Sequence, residues 1–388
     1  MKKKISFIVF LLFMAVSLLS CQNSKGEYEA SDHAARNEKD IVLKEQINRT
    51  RAIQLAAVGD LLIHDRVYND AKEADGFNFM PMLEKVETYL SQPTITTANQ
   101  ETMIGGEVIG LSSYPRFNSP VAVGDALKEI GVDIVSLANN HTLDRGEEAI
   151  QRSISHWNKI NMSYVGSYQS QSDSEKIRVI ETKEDIALSF LSYTYGTNGI
   201  PTPDGKEYLV NRIDRKKIAK DVKKAREVSD VVVTQLHFGD EYERMPNQSQ
   251  KDLVQYLADL GVNIVFGHHP HVLQPIEWVE GVNGNRTFVV YSLGNFLSGQ
   301  EAFYRRIGGM VQLTIEKKYE KDGKATTTLT APKFLPTFVD FTEASKSDYQ
   351  VIPMYQLTDE ELIDHEQHYQ EIKQHLSQWM PELTFIEK

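Results

Sequence analysis

The sequence predicts an α/β protein built on a layered sheet, because short β-branched runs alternate with helical patterns over most of its length. Hydrophobic residues make up 41% and charged residues 25% of its 388 residues, which is ordinary globular usage. A chain this long buries a core without disulfide bonds. Its mean hydropathy of −0.38 excludes a polytopic membrane protein. The net charge of −12 argues against a nucleic-acid partner bound by a blanket of positive charge.

The N-terminus has the pattern of a bacterial lipoprotein signal. Three lysines at positions 2–4 precede an almost unbroken apolar run at 5–19, and the small residue Ser20 and then Cys21 follow. Residues 1–20 are therefore expected to be removed and the Cys21 thiol acylated, with palmitate-type chains anchoring the protein to the outer face of the cell membrane. The alternative is a free thiol placed there by chance. Since Cys21 is the single cysteine, any metal must be held by His, Asp, Glu and Asn.

The next segment, residues 21–50, is polar and has too few apolar residues for a core, so we interpret it as a tether. A principal domain is predicted over 51–316. Its expected strands are 55–58, 94–97, 132–135, 231–234 and 262–266, and its expected helices are 79–90, 121–130, 146–159, 213–228 and 249–260. Strands at 287–291, 309–315 and 326–329 and a helix at 359–378 follow, so 317–388 is predicted to be an extension that contributes no ligand.

Polar clusters follow the predicted strands. They are Asp60 with His64, Asn99 with Glu101, Asn139-Asn140-His141 with Asp144, His237 with Glu241 and Tyr242, His268-His269-Pro270-His271, and Asn295. Ligands of α/β sheets bind beyond the carboxyl ends of the strands, so these clusters converge if the sheet is parallel. Taken singly, each has a plainer interpretation, since Asp and Asn after a strand commonly cap helices. Together they favour a divalent-metal site.

The motifs as a set resemble those of the CapA family, which contains poly-γ-glutamate capsule proteins of Gram-positive bacteria. The resemblance covers about residues 53–315, and its longest motifs are Ser136-Leu137-Ala138-Asn139-Asn140-His141 and Tyr291-Ser292-Leu293-Gly294-Asn295-Phe296. That family is in turn similar to the calcineurin-like metallophosphatase superfamily. The resemblance implies a four-layer α/β/β/α sandwich with a two-metal site at the strand ends.

The resemblance also implies roles for individual residues. The metal ligands would be Asp60, Glu101, Asn140, His237, His269 and His271, with His64 and His268 as further candidates. His64 enters because Leu62 stands where the superfamily usually has a histidine. His141, paired with Asp144, would act as proton donor, since histidine changes its charge near neutral pH. Substrate contacts would come from Asn99, Glu241, Tyr242 and Asn295. Apart from the resemblance, Arg116 in the Tyr114-Pro115-Arg116-Phe117 loop is a candidate contact for a polyanion, although a rigid turn explains that loop as well. The cofactor would be one or two divalent ions of the Zn, Mn or Fe type.

Three functions stay open from the sequence. In the first, a lipid-anchored surface protein acts through its metal site in the synthesis, export or processing of poly-γ-glutamate. In the second, the protein is a non-catalytic partner of a membrane polymer synthase and binds an anionic polymer. Residues 212–226 bear on this, with eight basic residues against Asp214 and Asp221, although an ordinary solvated helix face explains them as well. In the third, the protein is a phosphoesterase or amidase acting on another envelope substrate.

The lipoprotein signal predicts the outcome of a Cys21→Ser substitution. Without the thiol no acyl chain can be attached, so the protein should be released into the medium or remain as an uncleaved precursor. Metabolic labelling with a radioactive fatty acid, followed by fractionation, measures this. A mature variant that still carries label and stays in the membrane fraction contradicts the signal.

Overall fold

The structure is a computed structural model that describes residues 49–320 and 324–388. The predicted signal peptide, Cys21 and nearly all of the tether lie outside the described residues. One compact unit comprises Thr50–Lys318 together with Ala325–Lys388. Within the described ranges, no helix combines the length and apolar character needed to span a bilayer.

The elements alternate along the chain as the sequence predicts. The strands are β1 (Thr50–Leu62), β2 (Lys72–Glu73), β3 (Gly76–Phe77), β4 (Ile95–Gln100), β5 (Ile134–Ser136), β6 (Ser163–Val165), β7 (Arg178–Glu181), β8 (Ala187–Thr194), β9 (Val231–His237), β10 (Ile264–His268), β11 (Leu273–Glu280), β12 (Arg286–Leu293), β13 (Asn295–Ser298), β14 (Ile307–Tyr319), β15 (Ala325–Thr342), β16 (Ser347–Pro353) and β17 (Thr384–Phe385). The helices are α1 (Asp65–Asp70), α2 (Met80–Leu83), α3 (Glu87–Ser91), α4 (Ala122–Glu129), α5 (Gly146–Lys159), α6 (Gln171–Ser174), α7 (Arg215–Val228), α8 (Gln248–Leu260) and α9 (His365–Ser377).

Two large sheets carry the fold. The first has the order β16-β15-β14-β1-β4-β5-β6, with β13 beside β1 and β17 beside β15. The second has the order β11-β12-β10-β9-β8-β7. Strands β1, β4, β5 and β6 are parallel to one another, as are β8, β9, β10 and β12. In each sheet, therefore, a block of parallel strands ends along one edge.

The two sheets pack face to face with helices outside both, which confirms the α/β/β/α sandwich. Alternate side chains of β1 point to opposite sides of the sheet. Leu55 and Ala57 enter the core between the sheets, where they join Phe190 and Phe266 of the second sheet, whereas Val58 enters the outer helical layer. On the far face of the second sheet, α7 and α8 pack through a third apolar cluster.

Most predicted helices form close to their expected bounds, and local capping explains where they begin. Residues 146–159 are helical as predicted. Helix α7 begins two residues later than expected because the Asp214 side chain accepts a hydrogen bond from the Lys217 backbone N–H (2.7 Å). Helix α8 begins at a capping box formed by Asn247 and Gln250 and ends at left-handed Gly261.

Two helix predictions are wrong in detail. The helix expected over 79–90 is broken into α2, a 3₁₀ turn at Glu84–Val86 and α3. The buried side chains Met82, Val86 and Leu90 recur every four residues, so their spacing did not reveal the tighter turn. The helix expected from 359 begins at His365, because Asp364 has a φ of 59° and interrupts a right-handed helix.

The C-terminal residues complete the sandwich. The predicted boundary at 316 falls inside β14, and β15 lies between β14 and β16 in the first sheet. Helix α9 buries Tyr369, Ile372 and Leu376 in the core between the sheets. Nonpolar burial of this kind ties the end of the chain to the two sheets rather than to a separate core.

The layered core predicts a matched pair of stability effects. Val233→Ala removes two buried methyl groups from the core between the sheets, where Val233 is 0% exposed. It should lower the free energy of unfolding by about 2 kcal/mol. Val282→Ala makes the same chemical change at a side chain that is 77% exposed, and should change it by less than about 0.5 kcal/mol. Urea unfolding followed by circular dichroism measures both, and equal effects of the two substitutions contradict the described core.

Candidate metal centre

The centre starts from the end of β1, where the chain passes unusually close to the turn before β13. A Cβ added to Gly59 would lie 2.0 Å from the Gly294 carbonyl oxygen, so no larger residue fits. The backbone N–H of Asp60 donates to that same oxygen (2.8 Å), and Asp60 is in register with Asn295. The glycine of the Gly59-Asp60 motif thus lets two strands meet and places both polar side chains together.

Both sheets supply residues to one buried cluster. Asp60, Asn99 and Glu101 lie at the ends of β1 and β4 in the first sheet, and Asn140 and His141 follow β5. From the second sheet, His237 ends β9, and His268 to His271 end and follow β10. The strand-end clusters therefore converge as the sequence predicts, but across two facing sheets rather than along one.

Asp60 is the most connected member of the cluster. Its Oδ1 accepts a hydrogen bond from Asn99 Nδ2 (2.8 Å) and lies 3.1 Å from His268 Nδ1. Its Oδ2 accepts from the His269 backbone N–H (3.3 Å) and lies 3.2 Å from His271 Nδ1. Burial alone would raise the pKa of Asp60, but the contacts with His268 and His271 outweigh burial and hold it well below its usual range. Asp60 is consequently an anion fixed at the centre.

Glu101 differs from Asp60 both in its hydrogen bonds and in the direction of its pKa shift. Both carboxylate oxygens are buried and accept no hydrogen bond from the described residues. His237 Nε2 lies 3.5 Å and His271 Nε2 lies 3.7 Å from Oε1. Burial, supported by the nearby Asp60 charge, raises the pKa of Glu101 well above its ordinary value. A buried carboxylate without a partner is costly, and a bound cation would remove that cost.

The histidines of the centre respond differently to the same buried surroundings. Burial lowers the pKa of His237, and burial together with the nearby His271 charge lowers that of His269 to about 3. Burial would also lower the pKa of His271, but the carboxylates of Glu101 and Asp60 outweigh it and raise the value to about 9. A neutral imidazole is the form that binds a metal, so His237 and His269 are ready as ligands.

Two overlapping sets of ligand atoms fit a divalent cation. Glu101, His269 and His271 form one set, and Asp60, Glu101 and His237 form the other, with the atoms of each set within 4.8 Å of one another. Ligands bound at about 2.0–2.2 Å from one ion lie within about 4.4 Å of each other, so each set needs only a small contraction. Glu101 belongs to both sets. The buried Nδ1 of His269 and Nε2 of His268, which have no hydrogen-bond partner among the described residues, fit the same purpose.

His141 and Asp144 form a pair beside this cluster. His141 Nδ1 lies 2.7 Å from Asp144 Oδ2, and the same oxygen accepts from the backbone N–H of Phe117 (2.8 Å). The Phe117 ring packs edge-on against the His141 ring at 4.7 Å. Asp144 therefore orients the imidazole through Nδ1, which leaves Nε2 as the atom that can exchange a proton.

The loop that carries His269 and His271 has unusual backbone geometry. His269 has a φ of 99° and His271 a φ of 59°, on either side of Pro270. Left-handed conformations are strained for residues with a side chain and cluster at functional sites. The turn therefore depends on the two histidines that flank Pro270 as well as on the proline. Their rings lie 5.9 Å apart, and the His237 ring lies 4.8 Å from that of His269.

The remaining predicted residues lie around the cluster at different depths. Asn140 Oδ1 lies 2.8 Å from His237 Nε2, and Asn295 Oδ1 lies 3.0 Å from His271 Nδ1. His64 belongs to neither ligand set, and its Nδ1 contacts the Leu62 carbonyl and the Gly299 N–H. Burial lowers the pKa of His64 to about 4.

Three predicted substrate contacts lie at or near the rim. Arg116 and Glu241 are exposed, and the loop of Arg116 reaches the site through the adjacent Phe117. Tyr242 is 38% exposed, and its backbone N–H donates to the Pro270 carbonyl (2.8 Å). Tyr242 is thereby fixed to the loop that carries His269 and His271.

Two residues beside the centre, Tyr195 and Asn198, were not predicted from the sequence. The Tyr195 ring lies 4.6 Å from that of His269, and Asn198 Oδ1 accepts from Asn140 Nδ2 (3.3 Å). Both follow β8, which was not among the predicted strands. The short run Ala187–Thr194, rich in apolar, aromatic and hydroxyl-bearing residues, carried the signal that would have located them.

The fold and the cluster together define an α/β sandwich with a buried carboxylate–histidine centre suited to divalent metal. The family model of the bacterial capsule synthesis protein PGA_cap matches residues 54–300, and the chain belongs to this family. It is 30% identical over 201 residues to the PGA biosynthesis protein CapA of Bacillus subtilis, covering 49% of each protein. It is 31% identical over 185 residues to the capsule biosynthesis protein CapA of Bacillus anthracis, covering 45% of this chain and 42% of that one. The chain thus spans about half the length of these curated relatives.

Among solved structures, a purple acid phosphatase from yellow lupin seeds is similar with a TM-score of 0.36 and 11% identity. The similarity covers 72% of this chain and 54% of that one. The sandwich architecture itself rests on the strand order and layering described above.

The two ligand sets predict that His269→Ala combined with His271→Ala removes bound metal. The double variant loses the histidines of one set and leaves the apolar layers untouched, so its helix and strand content should stay as in the wild type. Elemental analysis after dialysis against a chelator-treated buffer gives the metal content, and circular dichroism gives the fold.

His156→Ala is the matched control, because His156 is also buried but pairs with Asp125 in the outer helical layer. It should keep its metal. Metal retained by the double variant, or lost equally from His156→Ala, contradicts the assignment.

Proposed function

We propose that this protein is a lipid-anchored surface protein that acts on poly-γ-glutamate or a related capsule polymer through a divalent-metal centre. Glu101 carries the proposal. It is a fully buried carboxylate without a hydrogen-bond partner among the described residues, shared by two ligand sets and beside an oriented histidine–aspartate pair. The Bacillus relatives are capsule and PGA biosynthesis proteins, and their role supplies the substrate class of the proposal.

The proposed chemistry divides between the cation and the chain. A bound divalent ion supplies Lewis acidity toward a carbonyl or phosphoryl oxygen. Asp60, held ionised by its histidine neighbours, would supply the negative charge that retains the ion, and Glu101 would add a second charge once the ion displaces its proton. His141, oriented by Asp144, holds a proton at Nε2 for a leaving amine or alcohol. On a γ-linked polymer, this set would allow cleavage or transfer at an amide.

Anchoring at the outer face of the membrane is part of the same proposal. The signal and Cys21 motif would place the protein where a capsule polymer emerges, beside a membrane polymer synthase as partner. With the tether of residues 21–50, the folded unit would stand clear of the lipid and reach the growing chain.

A second candidate function, non-catalytic binding of an anionic polymer, is favoured by α7. Ile218, Val222 and Ala225 of this helix are buried, as the solvated-helix interpretation expects. Its opposite face exposes Lys216, Lys220 and Lys223. Such a face attracts a polyanion whether or not the metal centre catalyses a reaction of that polymer.

His141→Ala separates the two functions. Loss of the proton donor should lower the turnover of poly-γ-glutamate by about 10²–10⁴-fold, without loss of metal. Release of new amino groups and the size distribution of the polymer report turnover, and elemental analysis reports metal.

The same His156→Ala control should retain full turnover. A metal-loaded wild type that binds the polymer and never shortens or transfers it supports the second candidate. Equal turnover in wild type and His141→Ala removes His141 from the chemistry.

A further inference from the structure

We propose that Arg305 forms an anion-binding subsite at the rim of the metal centre and receives a carboxylate of the substrate. Arg305 lies in the 3₁₀ turn Phe303–Arg306, beyond residues 54–300, which the family model matches. No sequence motif pointed to it. The subsite deepens the proposed function, since it assigns a recognition group for an acidic polymer.

Arg305 is connected to His271 by two separate routes. Its backbone carbonyl accepts from Asn295 Nδ2 (2.8 Å), and Asn295 Oδ1 lies 3.0 Å from His271 Nδ1. Its guanidinium Cζ lies 3.4 Å from the centre of the Tyr242 ring, and that ring lies 6.2 Å from the His271 ring. The charged group is therefore held over Tyr242, next to the ligand loop.

The turn that carries Arg305 is fixed from behind by α9. The Phe303 ring packs against His368 at 4.4 Å, and Tyr304 OH donates to Glu371 Oε2 (3.3 Å). Arg244 also stacks on Tyr304 and pairs with Glu371 (2.7 Å). With its neighbours held against α9, Arg305 is presented on the other side, toward Tyr242. A pre-positioned side chain loses less entropy when a ligand binds.

Within the described part of the chain, the guanidinium of Arg305 pairs with no carboxylate. Across residues 49–320 and 324–388, the Arg305 side chain forms no ion pair or hydrogen bond, and its stacking on Tyr242 uses only the flat face. Neighbouring Arg306, in contrast, pairs with Asp340 (3.0 Å) and Glu343 (2.9 Å). The five N–H donors at the edge of Arg305 are thus open to a bidentate carboxylate.

The chemistry of the site explains why a cation is useful there. Asp60, which is held ionised, and exposed Glu241 place negative charge beside the ligand loop, and Glu241 directly precedes Tyr242 in the chain. A polymer with a carboxylate on every residue would be repelled by these charges. Arg305 offsets that repulsion at the point where the chain would enter, and its stacking on Tyr242 keeps it there.

The test compares Arg305→Gln with Arg286→Gln in the mature, metal-loaded protein. Arg286 also stacks on an aromatic ring, that of Trp278 at 4.6 Å, but lies at the opposite end of β12 from Gly294. Each variant therefore loses one positive charge and one ring contact. The probe is a γ-linked glutamate hexamer at fixed ionic strength, with its fully amidated counterpart as the neutral probe, and calorimetry gives the affinities.

Arg305→Gln should weaken hexamer binding by about 10–100-fold, as expected for loss of a charge-assisted pair, while its metal content stays unchanged. Arg305→Lys should recover part of the affinity, since it restores the charge without the fork. The amidated probe should bind equally to all forms.

Equal hexamer affinity in Arg305→Gln and the wild type overturns the subsite, as does a wild type that does not bind the hexamer. An equal loss of hexamer affinity in Arg286→Gln also overturns the subsite, since the net charge of the protein then explains the effect. Hexamer binding that depends on Arg305 without any turnover counts against the proposed chemistry alone.

Discussion

Two carboxylates, Asp60 and Glu101, are fully buried where the two sheets of the sandwich meet, and the surrounding structure is organised to make that burial tolerable. Asp60 is satisfied by an asparagine, a backbone N–H and two histidines. Glu101 accepts no hydrogen bond from the described residues and instead faces His237 and His271. Apolar packing at this point would be more stable than a half-satisfied polar cluster. The presence of the polar cluster therefore indicates a function rather than a contribution to stability.

Two facing sheets can bring several ligand atoms to one point, which a single sheet cannot do as readily. Neighbouring strand ends in one sheet form a row about 4.8 Å apart per strand, which spreads side chains along an edge. Here the ends of β1, β4 and β5 face those of β9 and β10, so ligand atoms approach a common point from two sides. Gly59 and the two left-handed histidines, His269 and His271, are the local departures from regular backbone that allow this approach.

The outer parts of the fold support the centre without supplying ligands to it. In the described chain, both ligand sets draw on residues between Asp60 and His271 alone. Helix α9 fixes the turn that holds Arg305 and contributes apolar side chains to the core between the sheets. The rim is therefore held in place by packing against a helix that is distant in sequence. Such packing gives a site on loops a defined geometry.

The sequence by itself determined the alternation of strands and helices, the bounds of α5 and the positions of the polar clusters after the strands. These are local properties, set by apolar periodicity and by the residue types that end a strand. Tertiary structure decided that Asp60 and Glu101 come to rest against histidines of a second sheet, that α2 and α3 form separate helices, and that Tyr195, Asn198 and Arg305 join the site. Those outcomes depend on contacts between residues that are distant in sequence, such as Asp60 and His268. Local sequence patterns do not specify which distant residues meet in the folded protein.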